Sequence, residues 1–296
     1  MNTPSAPPEL AVTGASGNIG RALVRELTLA GHRVRALVRK GSELPGHPLV
    51  QRVEVDLERG QTVAEALAGI RSLFLLTPFH PRQDLVQAGL VEAAVRAGVG
   101  HVVKLSALGA DPAAPALVHR QHGLAEQAVA ESGLGYTLLR PNAFMQNTVQ
   151  WLPTVAAKDA IILPAGNSRV SMVDTRDIAA VAARALTDPL RHAGAHDLTG
   201  PKALTYTEVA AALSTVAGRP IRHLDVTPEQ AGAAMLANGV PEWAVRARLE
   251  LYATYRAGEA ELLSPAVREI TGREPRDFVA FATELAGELR RDHAKT

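Results

Sequence analysis

A chain of 296 residues is long enough for one large domain, or for a domain and a smaller lobe with a core of its own. Hydrophobic residues make up 47% and charged residues 21%, which is ordinary globular usage and excludes a disordered, collagenous or coiled-coil chain. The formal net charge of +1 is too small for the basic surface that sequence-independent nucleic-acid binding needs, so we predict no nucleic-acid partner.

The absence of cysteine excludes disulfides, thiolate metal sites and cysteine nucleophiles, and it suits a reducing compartment. We predict no metal site and a cytoplasmic location. Residues 1–9 hold no basic residue and no apolar stretch of the kind found in secretory signals, and we expect them to form a flexible tail. No apolar run approaches the ~18 residues of a membrane span, so we expect a soluble protein with no membrane partner.

The first half of the chain alternates short apolar runs with helical patterns. Strands are predicted at 10–12, 33–38, 50–55, 72–76, 102–105 and 136–139, and helices at 18–30, 63–67, 84–97 and 117–132. Strands that alternate with helices predict an α/β fold of the doubly wound (Rossmann) type, with a parallel sheet and right-handed crossovers.

Beyond residue 141 prolines divide the chain into shorter pieces, which predicts a smaller, mostly helical C-terminal substrate lobe. A helix at 175–186 and a strand at 196–198 look regular enough to return to the main sheet. The predicted domains are therefore 10–150 with 171–200 for the cofactor, and 151–170 with 201–296 for the substrate. Helices are also predicted at 241–258 and 276–291.

A glycine-rich stretch follows the first predicted strand and opens the first helix. In this context Gly14 permits a tight turn, Gly17 lets backbone N–H groups approach a pyrophosphate, and Gly20 lets the helix pack closely on the strand. The alternative is a simple turn before a helix. The predicted phosphate-binding residues are Gly14, Ser16, Gly17, Asn18, Ile19 and Gly20.

The end of the second strand predicts which dinucleotide is bound. An acid would be expected there for the ribose 2′-OH of NAD, but this chain has Arg39 and Lys40 at that point. Two cations would pair with a 2′-phosphate, so NADPH is predicted in preference to NADH. The alternative is a solvated basic end of the strand.

Two further strand ends supply candidate cofactor contacts. Asp56 could accept from the adenine amino group while Leu57 packs on the ring, although Asp56 suits a helix N-cap equally well. The residues after the fourth strand lie where doubly wound sheets bind ligands, and they are predicted to line the nicotinamide half. These residues are Thr77, Pro78, Phe79 and His80.

Several motifs together resemble the NmrA-like group of atypical short-chain dehydrogenase/reductases, which includes NADPH-dependent quinone reductases. The resemblance covers nearly the whole chain and implies a Rossmann fold and a nicotinamide cofactor. It rests on the stretches Thr13-Gly-Ala-Ser-Gly-Asn-Ile-Gly20, Val38-Arg39, Ser132-Gly-Leu-Gly-Tyr-Thr-Leu-Leu-Arg-Pro-Asn-Ala-Phe-Met-Gln-Asn147, Val173-Asp-Thr-Arg-Asp-Ile-Ala-Ala180, Leu198-Thr-Gly-Pro201 and Thr271-Gly-Arg273.

The chain departs from the wider family at the proton donor, because no Tyr-x-x-x-Lys pair is present. His122 and Glu126 lie one helical turn apart, an arrangement that quinone-reductase-like members resemble; His122 is the candidate donor and Glu126 would orient its ring. The alternative is an exposed helical pair. Ser106 matches the family's catalytic serine. Lys104 shares its strand face, but we interpret it as a solubilising charge.

The segment after the sixth strand, with Pro141, Asn142 and Phe144, matches residues that family members use against nicotinamide. The predicted walls of the substrate pocket are apolar or aromatic, and they indicate a planar or apolar substrate. They are Phe79, Phe144, Met145, Trp151 and Met172. Trp151 and Met172 could equally be ordinary core residues.

Two functions are compatible with these features. The first is an NADPH-dependent oxidoreductase that transfers hydride to a quinone or a similarly flat conjugated carbonyl, because such an acceptor needs stacking and only a modest proton donor. The second is a non-catalytic redox sensor that resembles NmrA regulators, in which case a protein partner is expected. An epimerase or dehydratase is disfavoured because it normally needs the missing tyrosine.

Overall fold

The computed structural model describes residues 8–291 of the chain. Most of the predicted tail at 1–9 therefore lies outside the described residues. Glu9, the last residue of that prediction, is not free, because its backbone carbonyl accepts from the N–H groups of Arg71 and Ser72 at 2.7 and 3.1 Å.

The described residues form short strands and longer helices. The strands are β1 (Leu10–Val12), β2 (Val34–Val38), β3 (Val50–Glu54), β4 (Ser72–Leu75), β5 (His101–Leu105), β6 (Gly135–Pro141), β7 (Ala160–Leu163), β8 (Arg169–Val170), β9 (Gly194–Leu198), β10 (Leu204–Thr205) and β11 (Arg222–Asp225). The helices are α1 (Asn18–Leu29), α2 (Gly60–Ala66), α3 (Gln83–Arg96), α4 (Leu117–Glu131), α5 (Leu152–Lys158), α6 (Thr175–Thr187), α7 (Tyr206–Ala217), α8 (Pro228–Ala237), α9 (Glu242–Arg256), α10 (Ala266–Thr271), α11 (Phe278–Glu284) and α12 (Ala286–Arg291).

The main sheet has seven strands in the order β3-β2-β1-β4-β5-β6-β9. Strands β1 to β6 pair in parallel, and β1, β4 and β5 are fully buried, as expected when helices cover both faces. The strand order reverses between β1 and β4, which is the point where doubly wound sheets open a crevice at their carboxyl edge. The predicted doubly wound fold is confirmed.

The chain divides into two compact units. The first unit holds the chain up to Ala114 together with His119–Arg140 and Thr175–Asp197, and it includes α6. The second holds Pro115–Val118, Pro141–Asp174 and the chain from Leu198 onward. Residues 141–150, which we expected in the cofactor domain, thus belong to the second unit.

The second unit is less uniformly helical than predicted, because β8 pairs with β10 and β7 with β11 in two small sheets. The single helix predicted at 276–291 is wrong: Asp277 caps α11 by accepting from the N–H of Val279 at 2.8 Å, α11 ends at Glu284, and α12 begins at Ala286. The break was not visible in the sequence since the apolar residues on both sides of it stay buried at helical spacing. Within 8–291, no helix is long and apolar enough to cross a bilayer.

Candidate cofactor and proton-transfer site

The glycine loop between β1 and α1 has the geometry of an anion cradle. Gly14 has a φ of +61°, and a Cβ built on Gly20 would lie 2.2 Å from the carbonyl oxygen of Gly14. Gly17 precedes α1 and makes no side-chain capping bond, so the first N–H groups of this 12-residue helix are left for another acceptor. The loop therefore fits a dinucleotide pyrophosphate.

Two side chains that sequence reasoning did not assign hold this loop in place. The Thr13 hydroxyl donates to the carbonyl of Leu76 at 2.8 Å and accepts from its N–H at 2.8 Å, which joins the ends of β1 and β4. The Arg21 guanidinium donates to the carbonyls of Ser16 at 2.6 Å and Glu43 at 3.0 Å. A basic residue one turn into the first helix was the only signal for the second contact.

The predicted loop residues differ in what they expose. Gly17 and Asn18 are exposed and Ser16 is half-buried, whereas the side chain of Ile19 lies on the buried face of α1. Ile19 can therefore meet a ligand only through its backbone N–H.

Arg39 and Lys40 follow the end of β2, and both are exposed. Among residues 8–291 neither side chain has a hydrogen-bonding or ion-pair partner, so both are available to a ligand in the first unit. Their contact with a 2′-phosphate stays a prediction.

The alternative prediction, that Asp56 is a helix N-cap, is wrong, because Arg59 occupies the N-cap position of α2. The Asp56 carboxylate instead accepts from the N–H of Glu58 at 3.1 Å and pairs with Arg59 at 3.4 Å, and it is exposed. Leu57 is half-buried against the core of the first unit. Adenine binding by these two residues stays a prediction.

In the segment after β4, Thr77 and His80 already accept hydrogen bonds from neighbouring residues. Thr77 is buried and accepts from the side-chain amide of Gln87 at 2.8 Å, and His80 Nδ1 accepts from the N–H of Arg82 at 3.2 Å. Pro78 and Phe79 are exposed. Of the four predicted residues, these last two are the exposed ones.

A compact polar cluster lies where β5 ends and α4 runs past it. Glu126 is 7% exposed. The Arg140 guanidinium donates two hydrogen bonds to its carboxylate, from Nε to Oε1 at 2.9 Å and from Nη2 to Oε2. The buried Ser106 hydroxyl also donates to this carboxylate. The expectation that Glu126 orients the His122 ring is therefore wrong, because Arg140, which follows in β6, offers a bidentate partner.

Lys104 takes the place beside His122 that was expected of Glu126. Its side chain is fully buried, and Nζ lies 3.1 Å from Nδ1 of His122 and 3.2 Å from the carbonyl oxygen of Leu105. The interpretation of Lys104 as a solubilising charge is wrong, since β5 runs through the middle of the sheet. Lys104 and Ser106 do share one strand face, because their side chains both reach residues of α4.

Burial changes the protonation of this pair. Desolvation lowers the pKa of Lys104 to about 7, although the nearby Glu126 carboxylate opposes the shift. Desolvation also lowers the pKa of His122, and the charges of Lys104 and His119 lower it further. At neutral pH His122 is therefore a neutral imidazole next to an amine that is close to half protonated.

The loop after β5 is locked against α4. A Cβ on Gly123 would lie 2.2 Å from backbone atoms of Asp111 and Pro112, and the His119 ring lies against Gly109. His122, which directly precedes Gly123, is half-buried at this packed boundary. Its position is thus set by close backbone packing that only glycine allows.

The candidates after β6 lie in the second unit, and the structure reassigns three of them. Asn142 is buried; its side-chain NH₂ donates to the Ser171 hydroxyl and to the carbonyl of Ala260 at 2.8 Å each, and its side-chain oxygen accepts from the N–H of Ala143, so both amide hydrogens are used within the unit. Met145 and Met172 are 1% and 3% exposed within the core of the unit, so they do not line an open pocket.

The other three candidates are Pro141, Phe144 and Trp151, and the last two are only half-buried. Pro141 is the buried end of β6, and Phe144 is half-buried beside Val173. Trp151 is half-buried and packs edge-on against Tyr206, with ring centroids 5.5 Å apart. Roles for Pro141, Phe144 and Trp151 in ligand binding stay predictions.

Comparison with known proteins gives the family to which this fold and glycine loop belong. The model of the NmrA-like family matches residues 8–267, and the chain belongs to that family. The predicted resemblance is confirmed.

Three relatives show how far the similarity extends. The chain is 41% identical over 278 residues to an NAD(P)H azoreductase of Xenophilus azovorans, covering 92% of this chain and 96% of the relative. It is 28% identical over 239 residues to quinone oxidoreductase 2 of Escherichia coli, covering 79% and 83%. Among solved structures, the triphenylmethane reductase of Citrobacter sp. complexed with NADP(H) superposes with a TM-score of 0.81 at 25% identity, covering 94% and 99%.

Proposed function

We propose that this protein is an NADPH-dependent oxidoreductase that reduces a flat conjugated acceptor, either a quinone or an aromatic azo compound. The observation that carries the proposal is the polar cluster of Lys104, Ser106 and His122 at the end of β5. Because parallel strands end at one edge of a sheet, this cluster and the glycine loop after β1 share that edge of the first unit.

In this proposal, separate groups of residues in the first unit bind the cofactor and transfer the proton. The glycine loop and the start of α1 hold the pyrophosphate, and Arg39 and Lys40 neutralise the 2′-phosphate. When bound there, a reduced nicotinamide would supply the hydride for the acceptor. His122 then donates a proton to the acceptor atom that becomes negative, and Ser106, held by Glu126, borders that position.

The choice of acceptor class has support from chemistry and from relatives. Quinones and azo compounds accept a hydride into an extended π-system, so the proton donor can be weak and the missing Tyr-x-x-x-Lys pair costs little. The relatives that are named for these activities, the NAD(P)H azoreductase and the quinone oxidoreductase, align over most of the chain.

The test is to follow oxidation of NADPH by the full-length protein with benzoquinone, a naphthoquinone, an aromatic azo dye and, as a control, a saturated aldehyde. We expect oxidation with at least one conjugated acceptor and none with the aldehyde. Binding of NADPH and NADP with different affinities, but with no oxidation by any acceptor, would overturn the proposal and favour the redox-sensor function.

Cofactor preference is tested with Arg39→Ala. Loss of a charge-assisted bond to the 2′-phosphate is expected to weaken NADPH binding by about 10- to 100-fold and NADH binding by less than about 2-fold. Titration calorimetry with both cofactors measures the effect. Arg25→Ala, an exposed arginine on α1, is the matched control and should change neither affinity. Equal weakening of both cofactors by Arg39→Ala would contradict the assignment.

A further inference from the structure

We propose that Lys104 and His122 form a proton relay. In this relay the Lys104 ammonium donates a proton to one nitrogen of the His122 imidazole while the other ring nitrogen donates its proton to the acceptor. The inference rests on the proposed function, because it concerns the proton that accompanies hydride transfer. It assigns a role to a fully buried lysine that the proposed reaction otherwise leaves unused.

When Lys104 is an ammonium, its chemistry sets the direction of each hydrogen bond that it makes. Nζ of Lys104 lies 3.1 Å from Nδ1 of His122, and it also donates to the carbonyl of Leu105. A lysine ammonium can only donate, so Nδ1 must be the acceptor and the imidazole proton must lie on Nε2. His122 thus holds its transferable proton on the ring nitrogen that does not face Lys104.

A relay is needed because a neutral imidazole is by itself a very weak acid. If His122 released the Nε2 proton alone, an imidazolate anion would form in a buried site. When the Nζ–H bond of Lys104 breaks and the proton joins Nδ1, the ring stays neutral throughout. Lys104 ends as a neutral amine, and the acceptor gains one hydride and one proton. After product release, water returns a proton to Nε2 and Nδ1 returns its proton to Lys104.

The surrounding charges favour this exchange. Glu126 on α4 stabilises the ammonium, whereas Arg140 on β6 and burial oppose it, so neither state of Lys104 is strongly preferred near neutral pH. His119 on α4 opposes formation of an imidazolium at His122. Because Glu126 is bound to Arg140 and Ser106, Lys104 is the group in contact with Nδ1.

The kinetic test compares wild type with Lys104→Met, which fills the buried site with an apolar side chain of similar length. Lys104 has a pKa of about 7 and the relay needs its protonated form, so wild-type kcat should be level below pH 7 and fall about tenfold per pH unit above it. In Lys104→Met we expect kcat to fall about 10- to 100-fold at pH 6.5, with KM unchanged and the decline above pH 7 lost. Lys158→Met, at an exposed lysine, is the control.

A second measurement reads the relay without turnover. In protein labelled with ¹⁵N-histidine, and with the His122 signal assigned from His122→Gln, we expect an Nε2–H tautomer below pH 7 and a change in the Nδ1 shift with a midpoint near 7. Lys104→Met should abolish that midpoint. An Nδ1–H tautomer below pH 7 would overturn the relay.

The two proposals fail in different ways. Wild-type turnover that Lys104→Met leaves unchanged, in rate and in pH profile, would overturn the relay while the proposed function stands. Absence of wild-type turnover with every acceptor would overturn the proposed function itself.

Discussion

Replacement of His122 by alanine is expected to lower kcat for the preferred conjugated acceptor by about 10²- to 10³-fold, the usual contribution of a positioned general acid. The reason is that His122, half-buried on α4 beside Lys104 of β5, can present one ring N–H to an acceptor while Lys104 holds its other ring nitrogen. NADPH affinity should change little, because the glycine loop and Arg39 are untouched. Stopped-flow kinetics and calorimetry separate the two effects.

Two variants make this expectation sharp. His32→Ala removes an exposed histidine ahead of β2 and should leave kcat unchanged. His122→Gln preserves a polar side chain of similar reach but offers no ring to pass a proton, so its kcat should stay as low as that of His122→Ala. A fall of less than about twofold in both His122 variants would remove His122 as the proton donor.

Replacement of Glu126 by alanine is expected to lower the free energy of unfolding by about 2 kcal/mol, between the effect of breaking an exposed ion pair and that of breaking a fully buried one, because the Arg140 side chain is partly exposed. Its carboxylate binds the Arg140 guanidinium and the buried Ser106 hydroxyl, so both lose their partner together. The same carboxylate favours the ammonium of Lys104, and its loss should lower the pKa of Lys104 further. Urea unfolding at pH 7.5 measures the first effect.

The control is Glu131→Ala, at an exposed position near the end of the same helix, where a surface substitution should cost at most about 0.5 kcal/mol. Equal losses in Glu126→Ala and Glu131→Ala would show that the ion pair between Glu126 of α4 and Arg140 of β6 contributes no more than an ordinary surface contact.

Much of the first unit was predictable because its signals are local. The spacing of Gly14, Gly17 and Gly20 predicted a turn with positive φ and a close approach, and the structure has both. Sequence patterns predicted the main-sheet strands to within a residue or two, and the signal is strongest for β1, β4 and β5, since a strand buried on both faces is apolar almost throughout. The strands β7, β8, β10 and β11 were missed, because they lie outside the regular alternation of strands and helices, and a short run by itself does not distinguish a strand from a helix.

Composition, strand and helix periodicity and the glycine spacing were thus enough, by themselves, to determine the doubly wound sheet and the tight glycine turn before α1. Only the tertiary structure decided the partners of the polar cluster. Helical spacing placed His122 and Glu126 on one face, but Glu126 pairs with Arg140 and His122 with Lys104. The groups that bind the buried carboxylate and the imidazole come from the strands β6 and β5. These strands approach α4 only in the folded sheet, so the pattern of residues along α4 cannot predict them.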